Sequence, residues 1–132
     1  MPYRPLLHFL VCAVAIVTLI GFVRVSGAAD EEAARTLAKQ SGCFKCHAVD
    51  KAKEDGGPAW RDVAAKYKVV TPPEGSGHDR LVKHITSGEK AKFADGHEED
   101  HKIVKSDDPA AIGNLVDWIL SLPGGTYTPK KE

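Results

Sequence analysis

The sequence predicts an all-α fold of three to five short helices, in a chain of 132 residues that has room for one modest core. Apolar residues recur at helical spacing in several short segments with recognisable caps. No segment shows the alternation of apolar and polar residues that is typical of a strand. A Cys-x-x-Cys-His motif at residues 43–47 then indicates what the helices surround.

Four segments have a helical pattern: 30–40, 60–67, 79–86 and 108–120. The first begins with acidic residues and ends at Gly42. The last has Asp108 as its N-cap and Pro109 at its first helical position. A buried stripe on this last helix is predicted from four apolar residues: Ile112, Leu115, Val116 and Ile119.

The N-terminal segment has the pattern of a secretory signal peptide. Arg4 precedes an apolar run at residues 9–23, and small residues follow up to Ala29. We therefore predict a leader over residues 1–29, cleaved near its end. An uncleaved anchor is the alternative, although the run is short for a membrane span, which needs about 20 apolar residues. The leader predicts export to the periplasm.

The remainder divides into a helical domain at 30–122 and a loose C-terminal tail at 123–132. The formal net charge of the whole chain is zero, and there is no basic stripe. A nucleic-acid partner is therefore not expected.

The Cys-x-x-Cys-His motif consists of Cys43, Cys46 and His47, and this spacing is the attachment sequence of a c-type haem. The two thiols form thioethers with the porphyrin vinyl groups, and the adjacent histidine ligates the iron from the proximal side. A disulfide is the simple alternative in an exported chain. A thiol redox pair would need a βαβ context, and a zinc site would need two further ligands. The motif favours one covalently bound haem c.

The chain resembles a known family at this point. The stretch GCFKCHAVDKAKEDGGPAWRDVAAKYK looks like the haem-binding half of small bacterial class I cytochromes c, and SDDPAAIGNLVDWILSL looks like their C-terminal helix. The resemblance covers about residues 31–122. It implies a fold in which the first and last helices cross, with Leu37 and Ala38 near Trp118.

The resemblance also implies a residue that orients His47 and residues that line the haem pocket. The Pro58 carbonyl is expected to accept a hydrogen bond from the Nδ1–H of His47, which would fix the orientation of that ring. Trp60 and Phe93 are expected in the haem pocket, since Phe93 occupies a position where these proteins often carry an aromatic residue. Plain core packing is the alternative for both, as it is for Trp118.

Class I cytochromes usually ligate the iron on the distal side with a methionine. The one methionine of this chain is Met1, in the predicted leader, so Met/His ligation is excluded by composition. The distal place falls to a histidine, to water or to an open position. The histidine candidates outside the leader are His78, His84, His97 and His101. His78 lies in a glycine-rich loop, and His84 shares a helix face with Leu81, so both are weaker candidates.

His97 and His101 lie in the charged segment where the missing methionine belongs. Counting forward from Gly88 favours His97, whereas counting back from Trp118 favours His101. We prefer His101, because the two apolar residues that follow it can anchor it against the haem. His97 is the second choice, and an open site is the third.

The same two histidines match H-E-x-x-H, in which two helical histidines bind zinc and the glutamate acts as general base. A protease helix needs apolar flanks and a third ligand, and here the flanks are charged. The simple alternative is a pair of solvated histidines in a polar loop.

These observations predict a periplasmic monohaem c-type cytochrome with bis-His ligation, which carries single electrons and is not an enzyme. Redox proteins would dock at the haem edge near Cys43 and Cys46, and the chain would be a monomer or weak dimer, bound to the membrane only if the leader is retained. One alternative is a gas-binding or peroxide-reactive haem protein with an open or labile distal site. Another is a dedicated subunit of a dehydrogenase or oxidase.

Overall fold

The structure is a computed structural model that describes residues 27–68, 75–93 and 95–125. Within these ranges the chain forms four α-helices, one 3₁₀ turn and one antiparallel hairpin. The helices are α1 (Glu31–Gln40), α2 (Trp60–Lys68), α3 (Gly77–Ser87) and α4 (Pro109–Ser121). The 3₁₀ turn is Cys43–Lys45, and the hairpin strands are β1 (Lys90–Lys92) and β2 (Glu98–Asp100). The predicted mainly-α class is confirmed.

The predicted leader lies almost wholly outside the described residues, as does the tail beyond residue 125. The start of that tail is held in place, because Gly125 N–H donates to the Arg61 carbonyl at 3.0 Å. Among the helices within the described ranges, none combines the length and apolar character required to cross a bilayer.

Side-chain caps define the helix starts. Asp30 accepts from the Ala33 N–H at 3.0 Å, and Asp108 accepts from the Ala110 N–H at 2.9 Å. α3 begins earlier than the sequence pattern suggested, because the Ser76 hydroxyl provides its N-cap. The capping side chains therefore determine where these three helices begin.

The core forms where α4 packs against the other three helices. Its buried residues come from all four helices and from the segment before α4: Ala34, Leu37, Ala38, Trp60, Tyr67, Leu81, Val104, Ile112, Leu115, Val116, Trp118 and Ile119. The start of α1 is tied to α4 by a reciprocal pair of hydrogen bonds between Asp30 backbone atoms and the Asn114 side chain, at 2.7 and 2.9 Å. The expected packing of the first and last helices is present.

The hairpin was not anticipated from the sequence. β1 pairs with β2 in antiparallel register, with Lys90 opposite Asp100 and Lys92 opposite Glu98. Lys90 Nζ lies 3.1 Å from Asp100 Oδ1. Opposite charges facing each other across two strands favour pairing without any apolar alternation, so period-two hydrophobicity could not reveal these strands.

Candidate functional site

The Cys-x-x-Cys-His motif forms a tight turn directly after α1. Gly42 adopts φ 77°, a left-handed conformation that suits glycine, and reverses the chain. The His47 N–H then donates to the Cys43 carbonyl at 2.9 Å, which fixes the histidine relative to the first cysteine. Cys43 and Cys46 are half-buried free thiols and form no disulfide.

Burial is the main reason that the pKa of Cys43 is raised. A reactive redox dithiol requires a lowered thiol pKa. The raised pKa of Cys43 therefore argues against a reactive thiol redox pair.

The His47 ring is held in one orientation and one tautomer. Its Nδ1 lies 2.8 Å from the Pro58 carbonyl oxygen, which can only accept, so Nδ1 carries the hydrogen and Nε2 keeps its lone pair. The Trp60 ring stacks beside it, with centroids 6.0 Å apart. Burial, more than any other cause, lowers the pKa of His47 and favours the neutral imidazole that a metal ligand must be.

Gly57 is a site residue that the sequence analysis missed. A Cβ at this position would lie within 2.8 Å of both ring nitrogens of His47, so any side chain would displace the imidazole. The Gly57 N–H donates to the Cys46 carbonyl at 2.8 Å, which holds the backbone against the motif. The Gly-Gly-Pro sequence before Trp60 was the available signal, because glycine marks close backbone approach.

The His101 ring lies near the ring of His47. Their ring centroids are 6.2 Å apart, with 46° between the ring planes. Imidazole nitrogens bind first-row metals at about 2 Å, so two imidazoles on opposite sides of one ion have centroids about 6 Å apart. Burial is the largest cause that lowers the pKa of His101, with His84 and His47 adding to the effect. The separation of the two rings is thus close to the one that ligation of a single metal ion by both would require.

The segment around His101 is fixed by hydrogen bonds to Glu89, to α3 and to the residue that caps the end of α1. The His101 N–H donates to the Glu89 carbonyl at 3.1 Å, and the Val104 N–H donates to the Ile85 carbonyl at 2.9 Å. The Lys105 N–H donates to the buried Ser41 hydroxyl at 2.9 Å. These three hydrogen bonds hold residues 101–105 against the rest of the protein.

The two apolar residues that follow His101 lie in different surroundings. Val104 is 6% exposed and joins the core, whereas Ile103 is 54% exposed. Ile103 instead lies over the backbone at Gly88, where a Cβ would be 3.2 Å from its Cδ1.

His97 and Phe93 form a separate pair at the turn of the hairpin. The two rings stack with centroids 4.3 Å apart and 11° between their planes. His97 Nδ1 lies 2.5 Å from Asp95 Oδ1, and the His97 side chain is about half exposed. The structure therefore places Phe93 against His97, outside the His47–Trp60 group.

The zinc-protease pattern is not formed. His97 and His101 lie at opposite ends of β2, an extended segment that rises about 3.3 Å per residue, and not on one face of a helix. Within the described ranges, no group of three or more His, Cys, Asp or Glu side chains could hold a metal ion.

His84 approaches His101 from α3, a role that the sequence analysis gave little weight. The two ring centroids are 4.4 Å apart. His84 Nδ1 lies 2.6 Å from Glu89 Oε1, and Arg80 Nη1 lies 2.5 Å from the same oxygen. These partners, His84 first and then Arg80, lower the pKa of Glu89 to about 2. By contrast His78 lies at the start of the same helix, 3.4 Å from Asp117 Oδ1.

Comparisons with known proteins identify the family of the chain. Residues 31–123 match the family model described as cytochrome c. Over 86 residues the chain is 37% identical to cytochrome c-551 of Allochromatium vinosum, covering 65% of this chain and 82% of that protein. It is 31% identical to cytochrome c-551 of Pseudomonas denitrificans, covering 65% and 93%. Among solved structures it is similar to the class 1 cytochrome MtoD from Sideroxydans lithotrophicus ES-1. That similarity has 52% identity and a TM-score of 0.63, covering 74% of this chain and all of that one.

Proposed function

The chain belongs to the cytochrome c family, and from this premise we propose that it is a periplasmic monohaem carrier whose iron is ligated by two histidines, His47 and His101. It binds haem c covalently and is an electron carrier, not an enzyme, as the sequence predicted. The observation that carries the ligand assignment is the facing of the two rings, with centroids 6.2 Å apart.

Bound haem supplies a couple that gains and loses one electron. In the proposed arrangement, Cys43 and Cys46 form the thioethers that fix its position, and the Nε2 lone pair of His47 points away from the Pro58 bond. Burial keeps both imidazoles in the neutral form that ligates iron. Because backbone hydrogen bonds hold both histidines, the ligand geometry should change little between the two oxidation states.

Bis-His ligation has a consequence for the reduction potential. Axial methionine raises the potential of a c-type haem. With Met1 as the sole methionine in the sequence, the potential should lie below that of relatives with Met/His ligation. The reduction potentials of its redox partners would therefore have to suit a carrier of lower potential. We propose that these partners dock at the haem edge near Cys43 and Cys46.

Export rests on the leader pattern in residues 1–29. We expect the protein from its native host to have an N-terminus near Ala29 or Asp30, because the signal peptide would be removed during export. Intact-mass measurement checks this. Recovery of the intact chain from Met1 in the membrane fraction would show a tethered cytochrome instead.

The ligand assignment is tested by comparing His101→Ala with His97→Ala, two histidines of the same pentapeptide. His101→Ala should convert a low-spin ferric spectrum at neutral pH to a high-spin one and open the iron to cyanide and CO. His97→Ala should leave the spectrum unchanged, because this ring bonds Asp95 and stacks on Phe93. Optical and EPR spectra of both variants provide the measurement.

The reverse result, a low-spin His101→Ala and an altered His97→Ala, would transfer the role to His97. Rapid CO binding by the unmodified ferrous protein would contradict stable bis-His ligation and favour the gas-binding alternative.

A further inference from the structure

We propose that His84 orients the ring of His101 toward the iron, and that Glu89 holds His84 in place for this purpose. His84 is thus a positioning residue for the distal ligand, and the proposal rests on His101 being that ligand. Nothing in the family match assigns a role to either residue.

The two sides of the site differ in how their histidines are oriented. A histidine that ligates a metal normally donates its other ring N–H to a carbonyl, a carboxylate or water, and this bond fixes the ring. His47 has such a partner in the Pro58 carbonyl, at 2.8 Å. His101 lacks a comparable bond at Nδ1, which is buried and without a hydrogen-bond partner among the described residues, and its ring contacts the Lys102 backbone instead. A neighbouring side chain can therefore contribute to the orientation of the His101 ring.

The His84 ring is in the position to do this by packing. Its centroid lies 4.4 Å from that of His101, with the planes inclined at 46°. At this separation the rings are in van der Waals contact, so rotation of His101 about its Cβ–Cγ bond would bring its edge against His84. The His84 side chain is 21% exposed, which shows that it lies mostly inside the protein.

His84 is itself held firmly. Its Nδ1 and the Arg80 guanidinium both lie close to one carboxylate oxygen of Glu89, at 2.6 and 2.5 Å. Arg80 and His84 are one turn apart on α3, and Gly88, with φ 67°, ends that helix so that Glu89 returns to it. Hydrogen bonds to an ionised carboxylate are stronger than those between neutral groups.

Glu89 connects both parts of His101 to α3. Its backbone carbonyl accepts from the His101 N–H at 3.1 Å, and its carboxylate fixes the ring that packs on the His101 side chain. An ion pair of Glu89 at the surface would by itself contribute little to the free energy of unfolding. It would also not require an imidazole ring at position 84. On the distal side, packing of His84 would therefore orient His101, just as the hydrogen bond to the Pro58 carbonyl orients His47 on the proximal side.

The test uses the holoprotein and compares His84→Ala, His84→Phe and His78→Ala. His84→Ala removes the packing ring, so the low-spin ferric EPR g values should shift. Cyanide should displace the distal ligand about tenfold faster, the lower end of the effect of losing an outer partner of a metal ligand. His84→Phe keeps a ring and should restore most of the original rate. His78→Ala, on the same helix and exposed beside Asp117, should behave as wild type.

Unchanged g values and cyanide rate in His84→Ala, with His101→Ala high-spin, would overturn this proposal and leave the proposed function intact. A fully high-spin His84→Ala beside a low-spin His101→Ala would make His84 the ligand and overturn both. A rate in His84→Phe as fast as in His84→Ala would also reject packing as the cause. Should His84→Ala fail to hold haem, Glu89→Ala frees the ring without removing it, and unchanged g values there would overturn the proposal.

Discussion

The proximal segment (residues 42–60) and the distal segment (residues 88–104) present one histidine each, and they do so by different means. The proximal segment folds back on itself, since the Trp60 N–H donates to the Ala48 carbonyl and the Gly57 N–H to the Cys46 carbonyl. The distal segment is an exposed hairpin of charged strands that also contacts α3, through the Val104 N–H bond to the Ile85 carbonyl and through the His84 ring beside His101. The His47 ring is held within its own loop, whereas the His101 ring contacts a side chain from another element.

This difference follows from the chemistry that each side performs. Covalent attachment needs two thiols and a histidine at fixed spacing, and a ring that is fixed by one carbonyl needs a close backbone approach. These demands require particular residues, such as Gly57 and Pro58. A distal imidazole needs only to reach the iron and face it, and many loops can deliver it. We therefore expect substitutions to have larger effects in the proximal segment.

The largest effect should follow from the double substitution Cys43→Ala and Cys46→Ala. With neither thioether possible, haem should no longer remain with the polypeptide after denaturation and acid-acetone extraction. The comparison sample is Lys45→Ala, an exposed position inside the same motif, which should retain all of its haem. Haem that extracts freely from the unsubstituted protein would contradict covalent attachment altogether.

Gly57→Ala should have the next largest effect, because its Cβ would overlap the His47 ring. Overpacking of this kind typically costs about 1–3 kcal/mol in the free energy of unfolding. We also expect a high-spin fraction in the ferric spectrum, as His47 is pushed from its bond to Pro58. Guanidinium unfolding and the optical spectrum measure the two effects. A wild-type spectrum would mean that the loop can move away from the ring at no cost to ligation.

The same contrast explains which features of the molecule could be predicted from the sequence. The proximal histidine followed from the motif alone, and the cytochrome c family and its haem are confirmed. The N-cap at Asp108 was predicted correctly because capping is local, whereas Asp30 was counted as a residue of the first helix and is its N-cap. The Gly-Gly-Pro sequence indicated a close backbone approach near Gly57, but the overlap with the His47 ring could not be predicted, because it depends on how the loop returns to that ring.

The structure of the distal segment was harder to predict from the sequence, and the reason is physical. Its strands pair through Lys90–Asp100 and similar charge contacts, which leave no hydrophobic period. The pairing of His84 with Glu89 spans the end of a helix and a left-handed glycine, so no helical spacing rule reveals it. Val104 joins the core, whereas Ile103 lies over the backbone at Gly88, and the sequence does not distinguish these two surroundings. The distal segment is therefore organised by tertiary contacts that residue spacing in the sequence does not reveal.

The smallest effect, and one of opposite sign, is expected for Gly113→Ala in the middle of α4. A Cβ at this position meets no atom within 4 Å, so the methyl group introduces no overlap. Glycine inside a helix is less favourable than alanine by roughly 0.5–1 kcal/mol, because it loses more backbone entropy on folding. The free energy of unfolding should therefore rise by about that amount, measured by guanidinium titration, and the haem spectrum should not change. This variant is the matched control for Gly57→Ala, since both add one methyl group to a glycine. Loss of stability in both would indicate that α4 is approached more closely at Gly113 than the structure shows. Opposite signs would attribute the loss at Gly57 to the His47 ring.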